Sequence, residues 1–265
     1  MLAVCATPIG NLDDVTLRVL AELREASLVL CEDTRHTRGL LDRHGIRARL
    51  LSYHRHNEAA RTAELLPRLE AGERVALVSD AGLPGVNDPG ARLIAAALER
   101  GVPVTVLPGP SAVETALVAS GLVGDRYQFL GYLPRRENEL AALWRELAAW
   151  PHPAVAFDSA QRLPAALRSL AGALPERQAA VCRELTKRFE EVVRGTATEL
   201  AERFAEPPRG EITIVVGGGS ATLDESAAAA AVDELLGAGV GRRQAAELVA
   251  RLTGVPRNRL YRSSL

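Results

Sequence analysis

The 265-residue chain reads as an α/β protein built from two α/β domains and a small helical tail. Three observations point there. Short apolar runs such as Leu2–Ala6, Ser27–Cys31 and Val75–Val78 end in turn residues, as strands buried in a parallel sheet do. Segments with apolar residues at helical spacing lie between them, so the early chain repeats strand, helix, strand. A Pro108-Gly109-Pro110 hinge then interrupts this rhythm, and strands and helices mix irregularly beyond it. The expected organisation is an N-terminal α/β domain with a mostly parallel sheet over 1–110, a C-terminal α/β domain with a mixed sheet over 111–219, and a helical tail over 227–265.

Each element has its own warrant. Leu2–Ala6 is a first strand, followed by the loop Thr7–Leu12, with Asp13 as a candidate N-cap. Val15, Val19, Leu20 and Leu23 then repeat at helical spacing. Ser27–Cys31 is the second strand and runs into the polar cluster Glu32–Thr37. A helix carries Leu40 and Leu41 to a C-terminal Gly45. Arg49–Tyr53 is the third strand, and a helix follows to Gly72. Val75–Val78, a Gly/Pro-rich loop, a helix from about Gly90 and the strand Pro103–Leu107 complete the first domain.

Beyond the hinge, Ser111 can cap a helix. Tyr127–Tyr132, Ala154–Phe157, Ala179–Cys182 and Glu211–Val216 are short strands, and Leu140–Leu147, Leu163–Leu174 and Glu199–Phe204 are helical. Phe189–Thr196 suggests a hairpin arm with Gly195 near its turn. Residues 220–226 read as a polar linker. The tail offers helices over Ala227–Leu236 and Gln244–Leu252, the latter with Ala245, Leu248, Val249 and Leu252 on one face, a Gly254-Val255-Pro256 turn and a short helix from Arg257 to Leu265. This resembles a helix-turn-helix and is locally basic, so it is either a solvated cap or an RNA contact.

Composition narrows the class. The formal net charge is -1, which gives no global attraction to nucleic acid and leaves only local patches. Cys5, Cys31 and Cys182 are odd in number and far apart, without zinc-site spacing. They read as buried free thiols in a reducing cytoplasm. The start lacks the basic segment of a signal peptide, and no apolar stretch spans a bilayer. His54 and His56 have no evident third partner, so no metal site is expected.

Ligands of open α/β sheets bind at the carboxyl ends of the strands. The loop Ser79–Gly90 lies at such an end, with small residues that let a ligand approach the backbone and a carboxylate at Asp80. A structural turn capped by Asp80 is the plainer alternative.

The loops also form an ordered set: T-P-I-G-N-L at Thr7–Leu12, E-D-T-R-H-T at Glu32–Thr37, V-S-D-A-G-L-P at Val78–Pro84, N-D-P-G at Asn87–Gly90, L-P-G-P-S-A at Leu107–Ala112, R-E-L-T-K at Arg183–Lys187 and Gly210-Glu211. Together they resemble the tetrapyrrole methylase superfamily over roughly residues 2–217, and within it the branch that methylates small-subunit ribosomal RNA. Leu83 stands where that branch usually has Thr, and Phe157-Asp158-Ser159 where an aromatic-Glu-Ser run is commoner.

The resemblance implies transfer of a methyl from S-adenosylmethionine to the ribose 2′-hydroxyl of a decoding-region cytidine in 16S rRNA. It places the cofactor between the two domains, with contacts from Pro8, Asp80, Ala81, Gly82, Ser111, Ala112, Leu130, Gly131 and Leu133. It also implies a small ribosomal subunit as partner and a homodimer. Such a transfer needs no metal, because the cofactor carries the activation.

Asp33, His36, Glu184 and Lys187 are candidates to take the hydroxyl proton, and Arg35 or Lys187 to stabilise developing negative charge. Asp33 could equally be a helix cap paired with Arg35, and Glu184 with Lys187 a structural ion pair. Arg35, Arg38, Arg55, Arg135 and Arg136 could meet phosphates, and Tyr53 or Tyr132 could stack on the base. The rivals are a precorrin-like tetrapyrrole C-methyltransferase and a non-enzymatic nucleic-acid-binding protein.

Overall fold

The computed structural model describes residues 1–219, 225–253 and 255–263. The first half contains β1 (Leu2–Cys5), α1 (Leu17–Glu25), β2 (Leu28–Cys31), α2 (Thr34–Arg43), β3 (Leu50–Ser52), α3 (Glu58–Glu70), β4 (Val75–Val78), α4 (Ala91–Glu99) and β5 (Val104–Leu107). Its five strands lie in the order β3-β2-β4-β1-β5, and every neighbouring pair is parallel.

Alternation across the pleat splits the apolar runs between two faces. Ala3, Cys5, Val29, Cys31, Ala76 and Val78 pack under α1 and α2. Leu2, Val4, Leu28, Leu30, Val75 and Leu77 pack under α3 and α4. Burial on both faces is why these strands read as continuous apolar runs.

The second half contains α5 (Ala112–Ser120), β6 (Gln128–Tyr132), α6 (Glu137–Ala149), β7 (Ala154–Ser159), α7 (Leu163–Ala173), β8 (Gln178–Arg183), β9 (Glu191–Thr196), α8 (Ala197–Arg203) and β10 (Glu211–Val216). The order is β6-β7-β10-β8-β9. Only β6 and β7 are parallel, so the sheet is mixed. Ala154, Ala156, Ala179, Val181, Ile212 and Ile214 face α6, α7 and α8. Val155, Ala180, Cys182 and Val215 face the other way, toward α5.

In the tail, α9 (Glu225–Gly237), α10 (Arg242–Thr253) and α11 (Arg257–Ser263) pack on one another around Val232, Ala245, Val249, Val255 and Leu260.

Four expectations need correction. Asp13 does not cap α1: Thr16 does, accepting the Val19 N–H at 3.2 Å, while Asp13 pairs with Arg43. Gly195 is not near the hairpin turn. It pairs with Ala179 inside the β8–β9 ladder, whose turn spans 184–190. Leu252 is exposed, not on the packed face of α10. Tyr53 is buried beneath α3 with its hydroxyl 3.1 Å from Thr62, so it cannot stack on a base. Of the expected linker, 220–224 lie outside the described residues, as do 254 in the tail turn and the last two residues, 264 and 265.

Candidate active site

The carboxyl ends of β1, β2, β4 and β5 all deliver loops to one place. The β1 and β4 loops are stitched there. Thr7 and Gly82 exchange backbone hydrogen bonds of 2.8 and 3.0 Å, and the Thr7 hydroxyl donates to the Ser79 carbonyl at 2.9 Å. Gly82 has φ of +79°, a left-handed conformation that glycine adopts without a Cβ penalty. The β1 loop also reaches the second half. A Cβ on Gly10 would lie 2.5 Å from the Lys187 side chain and 2.8 Å from the Leu185 carbonyl, so only glycine allows this contact.

Between the two sheets lies a cavity of about 830 Å³. The first half contributes Asp80, Ala81, Gly82 and Asp88, and the stretch Pro108–Glu114 closes one side. The second half contributes an aromatic wall. Phe129 and Tyr132 meet Phe157 edge-on at 5.1 and 5.7 Å between ring centroids. Ser111 donates to Glu114, which also accepts from the Tyr127 hydroxyl. Burial raises the Glu114 pKa, but these two donors outweigh it and hold the carboxyl below its ordinary range.

Three acids of the first half interact here. Asp88 is pushed up to about 6, first by burial and then by Glu32 and Asp80, with Arg55 opposing. Glu32 is also raised, by burial and then by Asp80. Asp80 accepts the Asp33 backbone N–H at 3.1 Å.

Of the residues expected to hold a cofactor, Asp80, Ala81, Gly82, Ser111 and Ala112 line the cavity. Pro8, Leu130, Gly131 and Leu133 do not. Pro8 is buried beside the lining residue Ile9, Leu130 packs on the second core, Gly131 abuts Asn87, and Leu133 is buried.

The expected catalytic residues lie around the rim and not on the lining. Asp33 caps α2, accepting the Arg35 N–H at 2.8 Å. That bond, with the Arg35 guanidinium at 3.4 Å, holds its carboxyl below the usual range. Arg35 is almost fully exposed, and His36 beside it is exposed too. Glu184 accepts the Glu211 N–H at 2.9 Å and Lys187 Nζ at 3.0 Å, which lower its pKa against a raising effect of burial. Burial pulls the Lys187 pKa down, but hydrogen bonds to Glu184 and Glu211 leave it raised. His54 and His56 join no group of three potential metal ligands among the described residues.

Sequence reasoning missed Asp88 and the Phe129–Phe157 pair as site residues. Asp88 stands inside N-D-P-G, a turn motif that carries no sign of a buried acid. Phe157 shares strand parity with Val155 and so falls on the cavity side of β7.

A family model for tetrapyrrole (corrin/porphyrin) methylases matches residues 1–201. The ribosomal RNA small subunit methyltransferase I of Micromonospora olivasterospora is 45% identical over 98% of this chain and 85% of its own. The protein of that name from Mycobacterium tuberculosis is 43% identical over 98% of this chain and 93% of its own. Among solved structures, uroporphyrin-III C-methyltransferase from Thermus thermophilus complexed with S-adenyl homocysteine aligns at TM-score 0.58 with 19% identity, covering 82% of this chain and 96% of that one. A diphthine synthase aligns at TM-score 0.60 with 17% identity, over 82% of this chain and 89% of its own. The structural likenesses speak to the fold; the sequence identities extend over nearly the whole length. By these matches the chain belongs to the tetrapyrrole methylase family and, within it, to the ribosomal RNA small subunit methyltransferase I group.

Proposed function

We propose that this chain transfers a methyl group from S-adenosylmethionine to the ribose 2′-hydroxyl of a decoding-region cytidine in the 16S rRNA of the small ribosomal subunit. The observation that carries this is the cavity itself. It sits at the carboxyl ends of parallel strands, in a chain 43–45% identical to rRNA methyltransferases over almost all its length.

The lining fits such a cofactor. An adenosyl group needs an apolar wall, which Phe129 and Phe157 supply. A sulfonium needs negative charge nearby, which Asp80 supplies. The volume lies in the range of sites for molecules of this size. When bound, the cofactor supplies a methyl already activated on positive sulfur.

The protein's own work is to bind, orient, exclude water and handle one proton. The backbones of Ala81, Gly82, Ser111 and Ala112 hold the cofactor body, and Pro8 and the Leu130–Leu133 run brace that cleft from behind. Asp88 takes the proton from the ribose hydroxyl. It lines the cavity, and a base works best when its pKa lies near the working pH. Asp33 and Glu184 act as positioning groups: Asp33 steadies Asp80, and Glu184 anchors Lys187 at the rim. Arg35 and Lys187 face the incoming RNA.

Exposed Arg38, Arg55, Arg135 and Arg136 meet phosphates, and exposed Tyr132 stacks on the base. The reaction so written uses no metal. We place the enzyme in the cytoplasm as a homodimer, with its units divided near residue 110. The three cysteines are free and buried, and no helix among the described residues is long and apolar enough to cross a membrane.

The test is transfer of labelled methyl to small subunits lacking 2′-O-methylation, with naked rRNA alongside and nuclease mapping of the product. Label on one cytidine ribose is the expected result. Cofactor binding without transfer would redirect the assignment to a tetrapyrrole or another small acceptor. No cofactor binding would leave a nucleic-acid-binding protein.

A further inference from the structure

Next to the cavity lies an open groove of about 680 Å³ to which nothing above gives a task. It is lined by Gly10–Asp13 of the β1 loop, by Arg43, and by Thr186–Arg188 of the β8–β9 turn. Groove and cavity share a wall one residue thick. Ile9 and Leu185 line the cavity, and their successors Gly10 and Thr186 line the groove. The lip between them is an ion pair: Glu211 lines the cavity, Lys187 lines the groove, and the two meet at 3.0 Å.

We propose that this groove seats nucleotides flanking the target, with Arg188 on a phosphate and Phe189 as a stacking platform for an unpaired base. This rests on the reading of the cavity as an RNA methylation site. Three observations favour single-stranded RNA as the occupant. The first is charge. Arg43, Lys187 and Arg188 are cations and Asp13 is the one acid of the lining. Arg188 is exposed and enters no ion pair among the described residues. The pair between Arg43 and Asp13 is exposed, so a phosphate can compete for the guanidinium at small cost.

The second is the aromatic. Phe189 is 65% exposed, and the Arg188 guanidinium lies 5.5 Å from its ring centroid. An exposed phenyl beside a free guanidinium is the composition on which single-stranded bases stack.

The third is the backbone that presents them. Glu184 and Thr186 have φ of 52° and 65°, and for a β-branched residue such as Thr186 this is a strained state. The turn keeps it through specific bonds. The Thr186 N–H donates to Glu190 at 2.6 Å, and its hydroxyl accepts the Asn11 N–H at 3.0 Å. Such strain persists where surrounding structure enforces it, and it gathers at functional sites.

The experiment compares R188Q and F189A with wild type in small-subunit binding at several salt concentrations, in methyl-transfer kinetics and in S-adenosylmethionine affinity. Both side chains are exposed, so both variants fold, which thermal melts confirm. F189A should weaken subunit binding about 10-fold. R188Q should lower the slope of log affinity against log salt by about 0.7, the loss of one single-strand phosphate contact. Cofactor affinity should not move, and KM for the subunit should rise with kcat retained. Wild-type transfer with both variants matching it in KM and salt slope overturns the groove alone. Wild type that neither binds nor methylates the subunit overturns the reading of the cavity, and the groove with it.

Discussion

The two halves of the molecule are both five-stranded sheets with helices, yet they serve the cavity in different ways. The parallel sheet is covered on both faces, so it offers the cavity only the ends of its strands. Those ends carry backbone polar groups and carboxylates: Asp80, Asp88 and the stitched Thr7–Gly82 loops. The mixed sheet has three helices on one face and chiefly α5 on the other, so part of a face is left for the cavity. It brings Phe129, Phe157 and Cys182. The first half therefore supplies the clustered Asp80 and Asp88 carboxyls and the stitched backbone, and the second an aromatic wall with Asp158 and Glu211 at its side. Covering a sheet fully pushes its chemistry to its ends, and leaving a face open makes that face a surface for binding.

Four perturbations would break or sharpen that contrast. The largest is D88N, which should lower kcat by about 10²- to 10⁴-fold while cofactor affinity holds. In wild type, kcat/KM should climb as pH rises through about 6, because Asp88 must ionise to accept a proton; D88N should lose that limb. The stability sign runs opposite. The folded pKa is raised, so the folded state holds the proton more tightly, and this stabilising contribution, full below the ordinary Asp range, is lost as pH rises through about 6. Denaturation of D88N at pH 7.5 should therefore show no loss of stability.

Next is R74A. The Glu22 carboxylate is nearly buried and takes two bonds from Arg74, at 2.8 and 2.7 Å. Removing the arginine strands it, at a cost of about 2 kcal/mol, readable in urea denaturation with KM unchanged. F157A comes third. Taking one ring out of the wall should raise the S-adenosylmethionine Kd about 10-fold by calorimetry, near 1.4 kcal/mol, with the pH profile intact. If F157A moved the pH profile, or D88N moved only affinity, the division between the halves would fail.

The smallest effect tests the wall's inertness. Burial pushes the Cys182 thiol up to about 11, so iodoacetamide at pH 8 should leave it unlabelled in the native protein and label it after unfolding.

The three inner strands of the first half, β1, β2 and β4, were legible because each is four apolar residues bounded by turn formers, and burial on both faces demands that pattern. Cap assignments were less so. Asp13 and Thr16 are both good caps by type, and the choice went to Thr16 because a 3-10 turn over Leu12–Asp14 delays the helix. Tyr53 looked available from a loop-rich neighbourhood, but α3 folds over it. At the site, Asp80, Ala81 and Gly82 followed from a single strand end, whereas Asp88 owes its raised pKa first to burial in the folded cavity and then to Glu32, 56 positions earlier. A perturbed acid made by residues remote in sequence leaves no local trace.

The strand order also governs how the chain can be made. β1 lies between β4 and β5, so once made it finds neither of these neighbours until residues 75–78 and 104–107 have followed. At ordinary synthesis rates that is a wait of roughly 5–20 s with Leu2–Cys5 unpaired. During that interval a strand destined for the interior of the sheet is a sticky edge. Slower translation between residues 6 and 107 would lengthen its exposure to chaperones and to other nascent chains alike.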